Sequence, residues 1–362
     1  MDNGSSTCRA GFAGEGTPKA VFPSVVGRGK HKDQHADGGQ ECFFADKSRR
    51  DMLYVKYPVE HGIITNWDDM EKLWQHTFFD KLNIDTQEQP VLLSEPALNP
   101  KANREKIIQI MFETFEFQAM YLKAQAVLSL IATGRETGLV VDIGDGQTQI
   151  VPIYDGHFLP YATMKGHVSG RDLTDYLMSL LNDRGHSFTT CMEREIVQDI
   201  KEKLGYVVYD FEQELRRMST LSYGKTYELP DEKIITVSDE CFKCTEPIFQ
   251  PQLSNLECPG LHESVFYSIM KCDVEIRSEM FQNIILSGGS SVFRGLSDRF
   301  KKEMVNISPP DTKINVITRP ETEHLAWTGG SLLASSQRMS KLWIFREEYE
   351  EYGPSIVHTK CF

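Results

Sequence analysis

Short apolar runs that stop at aspartate or glycine alternate with amphipathic helical segments along the whole chain. This alternation limits the possible folds more than any other feature. Leu92-Leu93, Gly138 to Val141, Ile150 to Tyr154 and Asn283 to Leu286 are too short for helices and read as strands. Asn66 is placed to cap a helix with Asp68, Asp69 and Glu71 in its first turns and Trp67, Met70, Leu73, Trp74 and Phe78 on one face. Asn99-Pro100 reads as a cap and first position for a second helix, with Ile107, Ile108, Met111, Phe112 and Phe115 as its buried stripe. A third spans Ala124 to Thr133 and stops at Gly134. A fourth runs from about Glu193 to Leu204, turning Ile196, Val197, Ile200 and Leu204 inward. Mixed helices and short buried strands predict an α/β architecture.

At 362 residues, the length suggests about two domains. The net charge of −13 is wrong for a nucleic-acid partner, because phosphate contacts need a basic surface. No run of about 18 apolar residues predicts membrane insertion. Met1 to Gly14 is polar and glycine-rich, without the apolar stretch of a secretory signal. Eight scattered cysteines read as reduced thiols, consistent with a cytoplasmic setting. Cys241-Phe-Lys-Cys244 has no second ligand pair and reads as coincidental spacing rather than a zinc site. Residues 25–57 are locally polar, and their centre, Lys30 to Gln40, reads as an exposed loop.

Two loops point to chemistry. One is Asp2-Asn3-Gly4-Ser5-Ser6. The other follows the apolar run Leu139 to Val141 as Asp142-Ile143-Gly144-Asp145-Gly146, and a further strand begins near Ile150, so it reads as a β-hairpin tip. Such a tip can turn backbone N–H groups toward an anion, and a carboxylate at its base can hold the waters of a phosphate-bound Mg²⁺. One such loop per domain would clamp a triphosphate, although Asp-Gly pairs also occur in plain turns. Leu286-Ser287-Gly288-Gly289-Ser290-Ser291 is a third candidate, allowing a ligand close to backbone, or equally an ordinary strand-to-helix turn. No Walker A sequence is present.

The chain closely resembles actin, from Asp2 to Phe362. The motifs that carry the resemblance include Asp2-Asn3-Gly4-Ser5, Ala10-Gly11-Phe12-Ala13-Gly14 and the run from Tyr57 to Lys72. Leu98 to Lys106, Gly170 to Leu177 and Gly353 to His358 add to it. The resemblance implies an actin-like ATPase fold: two related α/β domains around a nucleotide cleft, each with a smaller subdomain. It places the outer domain at 1–132 plus 325–362, with a small subdomain at 24–57. The inner domain is 133–324, with a small subdomain at 169–256.

By the same resemblance, ATP or ADP binds with Mg²⁺ or Ca²⁺, and Asp2 and Asp142 hold the cation through water. Asn3, Gly4, Ser5, Ser6, Arg9, Gly144, Asp145, Gly146 and Gln147 fall on phosphate-side positions. Gly170, Lys201, Glu202, Gly288, Gly289, Ser290 and Phe293 fall on nucleoside-side positions. Gln125 matches the glutamine that orients the attacking water, and His61 the histidine methylated in many actins. Read without the family, Lys201 and Glu202 would be a solvated helix face, Gln125 a plain helix residue and His61 a loop histidine.

The departures fall on function. An actin has a strand before the aspartate matched by Asp2. Here only Met1 precedes it, so either the start lies upstream or a central strand is lost. Ser6 replaces a glycine and Arg9 a lysine. Gln149 stands for the histidine beside the attacking water, Gln147 for a valine, Glu323 for a lysine near the adenine and His324 for a tyrosine. Hydrolysis is therefore expected to be slow. On the assembly surface, Asp33-Gln34-His35-Ala36-Asp37 replaces an apolar loop tip. The receiving groove keeps Ile131 but carries His157, Ser336 and Arg338, so Arg338 would pair with Asp33 or Asp37. The expected protein is a cytoplasmic cytoskeletal subunit that assembles head to tail with itself or other actins and meets actin-binding proteins. The alternatives are a poorly polymerising scaffold that keeps nucleotide as a structural ligand and, less supported, a small-molecule kinase on the same fold.

Overall fold

The protein is described from a computed structural model, which covers residues 1–29, 42–43, 53–220 and 224–361. Strands and helices mix throughout, in keeping with the α/β expectation. The chain forms two compact units. One comprises Met1–Glu136, Ile153–Pro160 and His324–Phe362, and the other Thr137–Pro152 and Tyr161–Glu323.

In the first unit, Asp2–Asn3, Thr7–Ala10 and Ala20–Pro23 form an antiparallel sheet. A second sheet pairs Pro90–Glu95 in parallel with Ala119–Ala124, and Ile344–Phe345 borders it antiparallel. Ser94 N donates to Met1 O at 3.0 Å, which seats the start of the first hairpin against the end of Pro90–Glu95. The helix Trp67–Gln75 begins as expected, with the Asn66 side chain accepting from Asp69 N. Met70, Leu73 and Trp74 are fully buried. The chain then continues through a π-helical turn, His76–Lys81, that carries Phe78 into the same core. There Phe78 meets Phe115 and Phe117 edge-on, with centroids 5.2 and 5.0 Å apart. Each such buried aromatic contributes about 1.5–3 kcal/mol through the water-exposed area it removes.

The second helix departs from expectation at its start. It spans Lys101–Gln109 with Pro100 at the cap and no side-chain cap bond. Asn99 instead donates to Glu95 Oε2 at 3.0 Å, because that carboxylate lies within reach and the proline ring already fixes the helix entry. The third helix, Gln125–Ala132, ends at Thr133 and Gly134, whose φ of 73° suits the stop. It packs on Leu325–Ala334 so closely that a Cβ on Gly329 would strike Leu128 O.

In the second unit, Gly138–Ile143 runs parallel to Ile284–Ser287, which runs parallel to Val316–Ile317. Thr148–Tyr154 lies on the other side of Gly138–Ile143. The helix Gly170–Asp183 opens with a capping box between Ser169 and Asp172. Cys191–Leu204 opens with another, between Thr190 and Glu193. These two helices share a core of Leu177, Leu181, Val197 and Ile200 with Cys241 and Cys244. Both thiols are buried, and burial raises the Cys244 pKa to about 12, so the CxxC spacing belongs to the core.

The expected loop at Lys30 to Gln40, with Asp33 and Asp37, lies outside the described residues. Flanking it, Val26–Gly29 pairs antiparallel with both Cys42–Phe43 and Leu53–Lys56.

Candidate functional site

The two units carry the same local device. In the first, Asp2 pairs with Arg9 across a hairpin whose tip closes from Gly4 N to Thr7 O at 3.1 Å. In the second, a tip of the same length closes from Gly144 N to Gln147 O at 2.9 Å. In each, an aspartate stands two residues before the closing glycine: Asp2 before Gly4, Asp142 before Gly144. In each, the glycine lies so near the closing carbonyl that a Cβ would crowd it, at 2.6 Å from Thr7 O and 3.0 Å from Gln147 O. A tip this tight leaves backbone rather than side chain at its surface.

Around the first tip, Asp2 is 5% exposed, so its charge must be matched locally. Ser94 Oγ donates to Asp2 Oδ1 at 2.5 Å and Gln125 Nε2 donates to the same oxygen at 2.8 Å. Arg9 lies 3.5 Å from Oδ2 and also donates from Nε to His324 Nδ1 at 2.8 Å. Asn3 Oδ1 accepts from the Trp74 indole at 3.2 Å. Ser5 Oγ accepts from Gly62 N at 3.0 Å, and the neighbouring His61 is an exposed loop residue with φ 49°. Asp2, Asn3, Ser5, Arg9 and Gln125 thus meet in one unit. Ser94, Trp74 and Gly62 join them without a local sequence signal, since their partners lie 57 to 92 residues away.

Around the second tip, Asp142 stands level with Ser287 on the neighbouring strand. Gly288 follows with φ 90°, and a Cβ there would strike Asp142 Oδ1 and lie 2.5 Å from Ile143 O. Gly170 N donates to Gly144 O and Arg171 N to Asp145 O, both at 2.9 Å. A Cβ on Gly170 would lie 2.5 Å from Ser290 Oγ. Glycines therefore bring the tip, the start of helix Gly170–Asp183 and the Gly288–Ser290 turn into contact. Gly289 sits in this turn with open space beside it, and Gly146, Gln147 and Gln149 are buried or half-buried on the hairpin. The Gln147 side-chain oxygen is buried without a hydrogen-bond partner.

Lys201 corrects the solvated-face reading. It is 3% exposed, and Nζ donates to Gly170 O at 2.6 Å and Thr174 Oγ1 at 2.8 Å. Burial lowers its pKa, with Asp145 the largest opposing influence. The helix is sandwiched, because its second face meets Gly170–Asp183. Glu202 stays outside and accepts from Gln198 Nε2 at 2.9 Å. Phe293 is buried, close enough to Gly205 that a Cβ there would lie 3.1 Å from its ring. Glu323 is exposed, and the preceding Thr322 O accepts from Gly288 N at 3.2 Å.

The family model described as Actin matches residues 1–362, the whole chain. The chain belongs to the actin family. Actin-family proteins generally bind a nucleotide and a divalent cation, and are generally cytoskeletal. Both hairpin tips lie within the matched region. No group of three or more His, Cys, Asp or Glu side chains gathers in a metal-binding cluster among the described residues. No helix among them is long and apolar enough to cross a membrane.

Of the assembly residues, Ile131 is half-buried and His157 exposed. The Ser336 hydroxyl donates to Leu333 O at 2.7 Å. Arg338 pairs at 3.0 Å with Glu136 of its own unit, and both side chains are mostly exposed. That pair contributes little, about 0–1 kcal/mol.

Proposed function

We propose that this actin-family chain binds Mg-ATP or Mg-ADP with groups from both units, Asp2 and Asp142 holding the cation through water. The observation that carries the reading is the repeated tip, an aspartate two residues before a glycine whose N–H closes the turn. The oxygen-rich donor set suits a hard cation such as Mg²⁺ or Ca²⁺ rather than a soft metal. When bound, that cation neutralises phosphate charge. The chain's own residues do the rest. Gly4 to Ser6 and Gly144 to Gln147 present backbone to phosphates. Gly170, Lys201, Glu202, Gly288, Gly289, Ser290 and Phe293 shape the nucleoside side, with Lys201 acting through the Gly170 carbonyl it holds. Gln125, fixed by Asp2 and Ser94, orients the attacking water.

Head-to-tail assembly in a cytoplasmic cytoskeleton, with slow hydrolysis, follows as the functional reading. A heterologous contact that does not close produces a filament. Gln149 carries an amide where a cation would favour the departing phosphate, and no amide becomes cationic near neutral pH. Gln149→His should therefore raise phosphate release. No change, or a fall, would show that this position does not limit turnover. A second reading, a scaffold that keeps nucleotide as a structural ligand, is favoured by the buried Gln149 and the exposed Glu323. Pelleting with Mg-ATP across a salt series separates the two. A polymerising subunit sediments, with moderate weakening as salt screens contacts beyond about 8 Å; a scaffold stays in the supernatant.

A further inference from the structure

We propose that His324 is a positioning residue for the first tip: it holds the Arg9 guanidinium off Asp2 and beside Gly4, as a fixed cation for a phosphate oxygen. This deepens the nucleotide reading above and rests on it. Both residues depart from the actin pattern, which has a lysine and a tyrosine at these positions. Although 315 residues apart, they meet in one hydrogen bond, from Arg9 Nε to His324 Nδ1 at 2.8 Å. All the groups involved lie in the first unit. His324 directly precedes helix Leu325–Ala334, and its side chain makes no capping bond there. The helix is fastened to the stretch that follows strand Thr7–Ala10. Ser331 Oγ accepts from Gly14 N at 3.0 Å and donates to Glu15 O at 2.8 Å. Trp327 lies so near Gly11 that a Cβ there would stand 2.7 Å from its ring. The imidazole therefore reaches Arg9 from a fixed base.

Arg9 stands opposite Asp2 across the hairpin. Its Nη1 is 3.5 Å from Asp2 Oδ2, longer than the roughly 2.7–2.9 Å of a charge-assisted hydrogen bond. The same nitrogen lies 3.7 Å from where a Cβ on Gly4 would stand, so it sits beside the tip. Arg9 makes no other side-chain hydrogen bond or ion pair among the described residues, which leaves donors for a ligand. A lysine could not serve in this way: its ammonium is a single point, whereas a guanidinium donates at Nε and keeps its Nη groups. Asp2 Oδ1 is taken by Ser94 and Gln125, and Oδ2 is held only loosely by Arg9. Oδ2 is thus left for a water on the cation. Nδ1 accepts only in the neutral imidazole that carries its proton on Nε2. Without that acceptor Arg9 would close on Asp2, and the tip would lose both its cation for phosphate and its carboxylate for Mg²⁺.

The test is titration calorimetry of the full chain with Mg-ATP at neutral pH. His324→Leu should weaken binding by about tenfold, the scale of one charge-assisted hydrogen bond. His324→Asn should keep the affinity, because its side-chain oxygen can accept where Nδ1 does. In an Arg9→Met background, His324→Leu should change nothing further, since His324 acts through Arg9. Nitrogen NMR of the unaltered chain decides the matter even if His324→Leu fails to fold. The His324 proton should stay on Nε2, and the Arg9 Nε signal should shift when Mg-ATP is added. Unchanged affinity in a folded His324→Leu, an equal loss in His324→Asn, a further loss in the Arg9→Met background, a proton on Nδ1 or an unmoved Arg9 Nε signal would overturn the inference and leave the nucleotide reading standing. No binding of Mg-ATP by the unaltered chain would sink the nucleotide reading itself, and the inference with it.

Discussion

Gly288 and Gly289 are neighbours with opposite tolerances. At Gly288 a side chain would need φ 90° and would collide with Asp142 and Ile143, whereas Gly289 faces nothing within 4 Å. Gly288→Ala should therefore cost at least about 2 kcal/mol, from left-handed strain plus overpacking. Gly289→Ala should stay within about 0.5–1 kcal/mol. Urea midpoints of the two variants test this, and equal midpoints would contradict the turn geometry. Lys201 makes a pH prediction. Its folded pKa lies below 10.5, so as pH rises between the two values the folded chain releases its proton first. The unfolded chain then binds more protons, and stability rises with pH in that window. The urea stability of the unaltered chain relative to Lys201→Met should accordingly improve as pH rises toward the ordinary lysine value of 10.5. A constant or shrinking difference would show that the ammonium is not desolvated. Neither Lys201's burial nor Ser94's bond to Asp2 was legible in sequence. Helical periodicity reports one buried face and cannot see a second helix packed on the other. A serine at the end of an apolar run gives no sign of a partner 92 residues away.

At the scale of elements, helix Leu296–Ile307 is tied to the turn Glu246–Ile248 by a buried arginine. Arg299 donates to both Glu246 oxygens at 3.2 and 2.8 Å and to Val208 O at 3.0 Å, and it lies 4.8 Å over the Phe249 ring. Burial raises the Glu246 pKa, and Arg299 restrains the rise. Arg299→Met would leave a buried, unmatched carboxylate and should cost about 3–5 kcal/mol at neutral pH. The cost should be smaller at pH 5, where the unrestrained carboxyl holds its proton more readily. Denaturation at both pH values checks this, and a pH-independent loss would mean that packing rather than charge holds the helix. Trp67–Gln75 was legible because its buried stripe and its Asn66 cap are local, and Gln125–Ala132 because Gly134 marks its stop. The Asn99 cap was misread because a carboxylate, Glu95, took its side chain. The antiparallel pairing of Asp2–Asn3 with Thr7–Ala10 was not legible either, since strands this short have no periodicity of their own.

For the whole molecule, family membership rests on long motifs and a full-length match, and the proposed chemistry rests on two tips with one design. The second tip was legible as a hairpin because apolar strands flank it; that the first repeats its closure emerges only from the backbone. The central claim is that both aspartates serve one nucleotide. A ligand that binds only the folded chain adds about 2.7 kcal/mol at a hundredfold excess over Kd. The deciding measurement is the thermal melting of the full chain and of Asp2→Ala/Asp142→Ala, each with and without Mg-ATP. The unaltered chain should melt higher with Mg-ATP, and the double variant should show no Mg-dependent shift. An equal shift in both proteins, or none in the unaltered chain, would contradict the account.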